Sequence, residues 1–407
     1  MRKDIGSKII CMHIGNFFIN NGKVFTTNSH ADFYNELGVY FDKVTIIGGS
    51  WPKNSDGIVF NSAKQINSKY DFKIYPGNSY QISFWRYFSN YIAFVRTILT
   101  FLFKDNGNIF IFLPSVHGTF AISLLLKFST FSSIGVYVGG SLQVESKNEI
   151  RLGIVSKLKK NITKHNDLRL EKYLKKVSYI ITSSHQLYFD KKQYLNIYLT
   201  PPMISFDFED INKFGGNEKK FRGKLVYCGE LRHAKGVREL LSAFQKLLKV
   251  SNGHNYELVI IGEGQAKSEM LDFVNYYKLN EKVSFVGQIN NPVILKQYYI
   301  DSDILILPSF SEGFPRVAYE AIIHSVVPIL TPVGGVPYLL KDGESAIFLE
   351  IGSVDSIVEA VLRISNDQSL RRRILEGGFN RLNSFVLPIV REHKTLASLV
   401  SKLSCKF

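Results

Sequence analysis

Glu312 and Glu320, with seven residues between them, bracket the stretch Ser311-Glu312-Gly313-Phe314-Pro315-Arg316-Val317-Ala318-Tyr319-Glu320-Ala321. The run before it, Asp303-Ile304-Leu305-Ile306-Leu307-Pro308, has four consecutive apolar residues, which suits a strand buried on both faces of a parallel sheet. Pro315 fits the first turn of a following helix, where a missing N–H costs nothing. The free amides around Phe314 to Val317 would then point out of the helix start and attract an anion, most naturally a phosphate. Two carboxylates flanking a phosphate cradle would repel the ligand unless they had another task. Hydrogen bonding to sugar hydroxyls is the chemistry that suits them.

The elements that must hold this stretch come from a chain of 407 residues, long enough for two domains with substantial cores. A hydrophobic share of 45% and a charged share of 21% are ordinary for a globular protein. Cys11, Cys228 and Cys405 stand far apart without metal-ligand spacing. The sequence therefore shows neither a disulfide framework nor a zinc signature, which suits a reducing compartment. Met1 to Met12 is basic and then only briefly apolar, too short for an export signal, so the expected location is cytoplasmic. The formal net charge is +15; residues 1–210 hold 25 Lys+Arg against 15 Asp+Glu, and residues 211–407 hold 25 against 20. An excess concentrated in the first half suits an anionic membrane surface or phosphorylated substrates, or it serves solubility alone. No helix-turn-helix, zinc-finger or RNA-recognition pattern supports nucleic acid as a partner.

Along the chain, Lys8 to Ile14 reads as a buried strand ending at Gly15-Asn16, and Phe17 to Asn28 as a long loop with a turn at Asn20-Asn21-Gly22. A helix over Asp32 to Phe41 and a strand over Lys43 to Gly49 complete a β-α-β opening, typical of doubly wound sheets. Gly15 stands where ligands sit in such sheets, or is a simple turn glycine. Ser83 to Phe103 is very apolar, but Arg86 and Arg96 interrupt it. It reads as a core helix or an interfacial amphipathic one, not a membrane span. Asn108 to Pro114 is a strand followed by His117, which could orient a substrate or cap a helix. Ser133 to Gly140 and Val177 to Thr182 complete the strands of this half. The basic helical run Lys147 to Lys176 between them is a solvated face or a membrane-facing one. Pro201 to Gly223 lacks periodicity and reads as a linker. A second series follows: strands at Lys224–Cys228, Glu257–Ile261 and Val283–Gly287, with helices over Val237–Lys249, Gln265–Tyr277 and Pro292–Ile300. Arg371-Arg372-Arg373 and a helix-like tail, Leu387 to Phe407, follow the last domain.

From Lys224 to Leu349 this second half resembles the retaining glycosyltransferases of family 4. The matching residues occur in the family's order. They are Gly229, Leu231, Lys235 and Gly236; Ile260-Ile261-Gly262-Glu263-Gly264; Val283 to Gly287; Asp303 to Ser309; Glu312 to Glu320; and Gly334-Gly335-Val336-Pro337 through Asp342-Gly343. The resemblance implies an α/β fold of the GT-B type, two Rossmann-like doubly wound parallel-sheet domains facing a cleft. Residues 1–200 would bind the acceptor, 201–223 link, and 224–385 bind a sugar nucleotide, while 386–407 form a C-terminal helix returning to the first domain. It implies further that Lys235 contacts the donor phosphates, Glu312 the donor-sugar hydroxyls and Glu320 the ribose. Gly313, Phe314, Pro315, Arg316 and Val317 would surround the distal phosphate. Gly262, Gly264 and the strand end Val286-Gly287-Gln288 would also lie on the donor side, the strand end meeting the base through backbone groups. Gly15 and His117 match a loop glycine and a substrate-contacting histidine. The family usually has arginine where this chain has Glu230, and Arg232 is the residue that could reach the phosphate instead. The alternative readings are that Lys235 pairs with Glu230 and that Glu320 serves as a cap or salt-bridge partner.

The leading expectation is a retaining hexosyltransferase-like enzyme that needs no metal and no cofactor. A lysine and helix-start amides can stabilise the charge developing on the leaving diphosphate, and the sequence offers no acidic metal-binding motif. The donor would be a UDP- or GDP-sugar. The acceptor would be a lipid-linked glycan of O-antigen or capsule biosynthesis, reached from the inner face of the cytoplasmic membrane through peripheral contact. A sugar-nucleotide epimerase or phosphorylase of the same fold is the alternative enzyme. A hinged sugar-nucleotide-binding protein without turnover is the alternative outside enzymes.

Overall fold

Uninterrupted apolar runs such as Ile304–Leu307 and Ile109–Leu113 cannot meet water on either face, and each becomes the interior of a parallel sheet. The computed structural model describes residues 8–50, 63–67, 69–76, 92, 95–99, 107–113, 116–128, 131–139, 170–193, 195–200, 220–250, 255–313, 315–392 and 395–406. The chain divides into an N-terminal unit, Met1–Pro201 with Glu392–Phe407, and a C-terminal unit, Pro202–Arg391.

The N-terminal unit contains β1 (Lys8–Asn20), β2 (Lys23–Thr27), α1 (Asn28–Tyr40), β3 (Lys43–Ser50), β4 (Ala63–Gln65), β5 (Asp71–Pro76) and β6 (Asn108–Leu113). It continues with α2 (Val116–Phe128), β7 (Ser133–Val138), β8 (Tyr179–Thr182), α3 (His185–Lys191) and β9 (Ile197–Leu199). Parallel pairing gives the order β5-β3-β1-β6-β7-β8-β9. Side chains of successive strand residues point to opposite faces, so each strand serves two cores. Ile9, Cys11, Phe110, Phe112 and Tyr179 face one, together with Phe33 and Tyr34 of α1; Ile10, Met12, Ile109, Ile111 and Ile180 face the other.

Two sequence expectations need correction here. The segment after Ile14 is not a loop: β1 runs on to Asn20 and turns at Asn21-Gly22, where φ is 47° and 72°, and returns antiparallel as β2. An Asn-Gly pair with positive φ at both positions is the turn that matches strand twist, and β4 then adds a third antiparallel strand. Gly15 therefore lies inside a strand rather than at its end. It sits where the β1–β3 register breaks, between His13 and Phe17. The strands β5 and β9 also lie beyond those read from the sequence. The Ser83–Phe103 stretch and the basic run to Lys176 fall mostly outside the described residues. Within the former, Ile98 is buried against the second core while Arg96 and Leu99 are exposed. Among the described residues no helix is long and apolar enough to cross a membrane.

The C-terminal unit holds β10 (Lys224–Cys228), a short 3₁₀ turn (His233–Lys235), α4 (Val237–Val250), β11 (Glu257–Ile261), α5 (Lys267–Tyr276), β12 (Val283–Gly287) and α6 (Pro292–Asp301). It continues with β13 (Ile304–Leu307), α7 (Arg316–Ile323), β14 (Val327–Leu330), α8 (Val336–Leu339), β15 (Ile347–Phe348), α9 (Val354–Asn366), α10 (Gln368–Arg381) and α11 (Leu387–Glu392). Its six strands are all parallel, in the order β12-β11-β10-β13-β14-β15. The Asp303 carboxylate before β13 accepts the backbone N–H groups of Arg222 and Lys224, each at 2.9 Å, and so fixes where β10 begins. Arg371 to Arg373 do not follow this unit but belong to it. Within α10, Arg371 donates to the carbonyls of Ile364 and Ser365, and Arg373 to that of Gly343. The tail beyond it is two helices. The second, α12 (Leu396–Lys406), belongs to the N-terminal unit, where Leu399, Val400 and Leu403 pack on the aromatic core. Its polar fastenings are Thr395 Oγ1 to Glu36 at 2.6 Å and the Tyr179 and Ser404 hydroxyls at 2.8 Å.

Candidate active site

In an open parallel sheet, the loops at the strands' carboxyl ends part where the strand order reverses, and ligands bind there. In the C-terminal unit the reversal falls between β10 and β13, because β11 and β12 step away on one side and β14 and β15 on the other. The loop after β10 carries Lys235 and the loop after β13 carries Glu312. The two loops are braced against each other. Gly236 has φ +68°, and a Cβ on it would lie 2.0 Å from the Pro308 carbonyl oxygen, so only glycine allows the approach. The Phe310 N–H donates to the Ala234 carbonyl at 2.9 Å.

Across this brace the Lys235 Nζ lies 2.6 Å from Glu312 Oε1, and the Ser309 hydroxyl donates to the same oxygen at 2.9 Å. The Lys235 and Glu312 side chains are only 17% and 14% exposed. A largely shielded pair of this kind is stronger than a surface one, because less water screens it. The loop after β14 holds Glu312 from behind. Gly334 has φ +58° and a Cβ there would fall 1.8 Å from the Glu312 carbonyl oxygen, while the Gly335 N–H donates to Gly313 O at 2.6 Å. The Thr331 hydroxyl donates to the Ser309 carbonyl and so anchors the residue that orients Glu312.

Pro315 is the cap of α7 rather than part of its first turn: its ψ is 107°, and helical geometry begins at Arg316. Ala318 already donates to the Pro315 carbonyl, so the helix's own hydrogen bonding begins there and Arg316 and Val317 form its first turn. Phe314 lies outside the described residues. One face of α7 carries Glu320 into the interior, 5% exposed, where the Tyr299 hydroxyl from α6 donates to its Oε2 at 3.0 Å. Burial, with the charge of Glu320 adding, pushes the Tyr299 hydroxyl well above its ordinary pKa, which keeps it a donor. Cys228, at the end of β10, is pushed up to about 12 by burial and is a thiol, not a nucleophilic thiolate.

Farther along the sheet edge, the Gly262 N–H donates to the Gly287 carbonyl at 2.9 Å, and the Leu231 N–H to the Glu263 carbonyl at 2.9 Å. The loops after β10, β11 and β12 are thus stitched together, and Gly264 accepts the first N–H of α5 from Lys267. Val286 is half-buried at the end of β12, and Gln288 is exposed with its amide on Asn290. Lys235 does not pair with Glu230. Arg232 does, through Nε to Oε2 at 3.0 Å.

The structure joins Lys235 to Glu312 in the loop that leads into α7, while Glu320 turns from that helix to Tyr299. It also adds Ser309, Thr331 and Tyr299, which sequence reasoning missed. Ser309 and Thr331 could have been found, as polar residues closing apolar strands next to the motifs; nothing local distinguishes Tyr299 from a core tyrosine. In the N-terminal unit the strand order reverses between β1 and β6. Gly15 in β1 and His117, the second residue of α2 after β6, belong to the two segments that flank this reversal.

The profile of the family Glycosyl transferases group 1 matches residues 208–381. The capsular polysaccharide biosynthesis glycosyltransferase CapM of Staphylococcus aureus is 30% identical over 171 residues, 41% of this chain and 43% of that protein. An alpha-1,4-N-acetyl-D-galactosaminyltransferase of Campylobacter jejuni, named for a PP-undecaprenol-linked saccharide, is 25% identical over 233 residues, 55% of this chain and 62% of that protein. These matches span less than two thirds of either relative's own length. Among solved structures, sucrose-phosphate synthase from Thermosynechococcus elongatus superposes with a TM-score of 0.60 at 15% identity, covering 95% of this chain and 98% of that one. Residues 208–381 thus match the group 1 glycosyltransferase profile, which is less than half of the chain, and the fold is GT-B.

Proposed function

We propose that this chain, built around a group 1 glycosyltransferase domain, transfers a sugar with retention of configuration from a nucleoside-diphosphate donor to a lipid-linked glycan, as expected of family 4. The ion pair between Lys235 and Glu312 carries the proposal. Each half of the pair suits one part of a sugar nucleotide: an ammonium for the diphosphate, a carboxylate for sugar hydroxyls. Donor binding exchanges partners. The diphosphate takes Lys235, and Glu312, still held by Ser309, turns to the sugar. The Arg316 and Val317 amides receive the distal phosphate, where negative charge grows as the bond to the anomeric carbon breaks. Glu320, oriented by Tyr299, takes the ribose hydroxyls, and the ends of β11 and β12 the base, of uridine or guanosine type.

The acceptor hydroxyl bonds to the anomeric carbon on the face that the diphosphate leaves, and its proton departs with the diphosphate oxygen. Charge stabilisation by Lys235 and the amides supplies what a metal would otherwise supply, so no cofactor is required. From the N-terminal unit, His117 serves as a catalytic residue and Gly15 contacts the donor. One relative named for capsular polysaccharide biosynthesis and another named for a PP-undecaprenol-linked saccharide support the acceptor class. The net charge of +15 supports peripheral contact with the anionic inner face of the cytoplasmic membrane.

The test incubates the protein with a panel of UDP- and GDP-sugars and an undecaprenyl-diphosphate-linked saccharide. Donor consumption that requires the acceptor is expected; no consumption of any donor would sink the proposal. Flotation with anionic vesicles should weaken as salt rises, because exposed charges are screened.

A further inference from the structure

Two ion pairs stand at the end of β10, and they differ in exposure. Lys235 and Glu312 are largely shielded, whereas the Arg232 and Glu230 side chains are 44% and 56% exposed. The backbone beneath the outer pair is pinned. The Glu230 carbonyl accepts the Tyr227 hydroxyl at 2.9 Å and the Arg232 N–H at 3.0 Å. Leu231 is fully buried between them and bonds the Glu263 carbonyl. Glu230 and Arg232 are therefore held on the open side of the loop that also presents Lys235. One buried group lies near three of these charges: ionisation of the Tyr227 hydroxyl is opposed by burial first, then by Glu312, with Glu230 adding and Arg232 opposing them.

We propose that Glu230 acts as a product-release charge, weakening the site's hold on a nucleoside diphosphate more than on the corresponding sugar nucleotide. This rests on the donor role proposed above for Lys235. An exposed ion pair is weak, so an arriving diphosphate draws Arg232 from Glu230 at little cost. The Glu230 carboxylate then remains beside a polyanion, and the repulsion grows with the ligand's charge. The diphosphate of a sugar nucleotide carries about two negative charges at neutral pH. Once transfer frees the terminal phosphate, its second ionisation brings the total to nearly three. The added charge appears only in the product. Arg232 thus helps to admit the donor, and Glu230 helps to expel what is left of it.

Isothermal titration of the full chain with UDP, GDP, UDP-glucose and GDP-mannose, at low salt and again at high salt, tests this. For the nucleotide that the wild type binds, Glu230→Gln should tighten the diphosphate about three- to ten-fold and its sugar conjugate by less than about three-fold. The preference for the diphosphate should rise accordingly and shrink again at high salt. A general effect on loop structure would move both ligands alike. An unchanged ratio, or weaker diphosphate binding, in Glu230→Gln overturns this inference and leaves the donor site standing. Failure of the wild type to bind any of the four ligands overturns the proposed function along with it.

Discussion

The two units of this protein use one topology to different ends. Each is a parallel sheet whose strand order reverses beside its first strand, between β1 and β6 in one and between β10 and β13 in the other. In the C-terminal unit the loops at the reversal are short, glycine-hinged and cross-bonded, and they hold a lysine and a glutamate 2.6 Å apart. In the N-terminal unit β1 runs past the corresponding point into an antiparallel arm with β2 and β4. Short braced loops hold charged groups to a fixed geometry. An extended arm instead offers a surface, which would suit the larger acceptor proposed for this unit.

The sharpest way to break this contrast is substitution at matching positions. Glu312→Ala should abolish transfer, a loss of about 10³-fold or more, while the C-terminal unit stays folded, since the side chain contributes to no hydrophobic core. His117→Ala should instead lower turnover about 10- to 100-fold and leave nucleoside-diphosphate affinity unchanged. Steady-state kinetics together with titration of the nucleotide separates the two. Equal loss of nucleotide affinity in both variants would end the division of labour proposed for the units.

Backbone clamping can be tested at Gly334. Its φ of +58° and the Glu312 carbonyl 1.8 Å from a would-be Cβ make alanine costly. Gly334→Ala should destabilise the C-terminal unit by about 1–3 kcal/mol and displace Glu312. Thermal unfolding should show a lower midpoint, and nucleotide should no longer raise it.

The N-terminal unit should be the more acid-sensitive. Burial lowers the pKa of His185 from 6.5 to about 4, and burial lowers that of His30 as well. A folded-state pKa below the unfolded one means that the unfolded chain takes up the proton first. Stability is therefore full above pH 6.5 and lost as the pH falls toward 4, on the order of 3 kcal/mol for His185. Unfolding followed at pH 7 and pH 4.5 should show the loss, and His185→Gln should flatten it.

Much of the C-terminal unit was legible in the sequence, because its strands are uninterrupted apolar runs and its helices have clear periodicity. Val237–Val250 and Ile304–Leu307 needed no tertiary information. The N-terminal unit was less so. A strand that passes from a parallel sheet into a hairpin, as β1 does between Phe17 and Phe18, changes its environment midway and reads as a loop. The short strands β4 and β9, three residues each, lie below the length at which alternation shows.

The amino-acid sequence alone determined the order of the motifs, the glycines that permit close loops, and the presence of two carboxylates beside a helix start. It could not decide which charges meet. Lys235 had two glutamates within reach of plausible loops, and only the crossing of β10 beside β13 joins it to Glu312, 77 residues away, while Arg232 takes Glu230. Tyr299 meets Glu320 for the same reason, across 21 residues and two elements. Local periodicity records how each segment hides its apolar face. Pairing between loops depends on how the strands are ordered in the sheet, which only the tertiary structure decides.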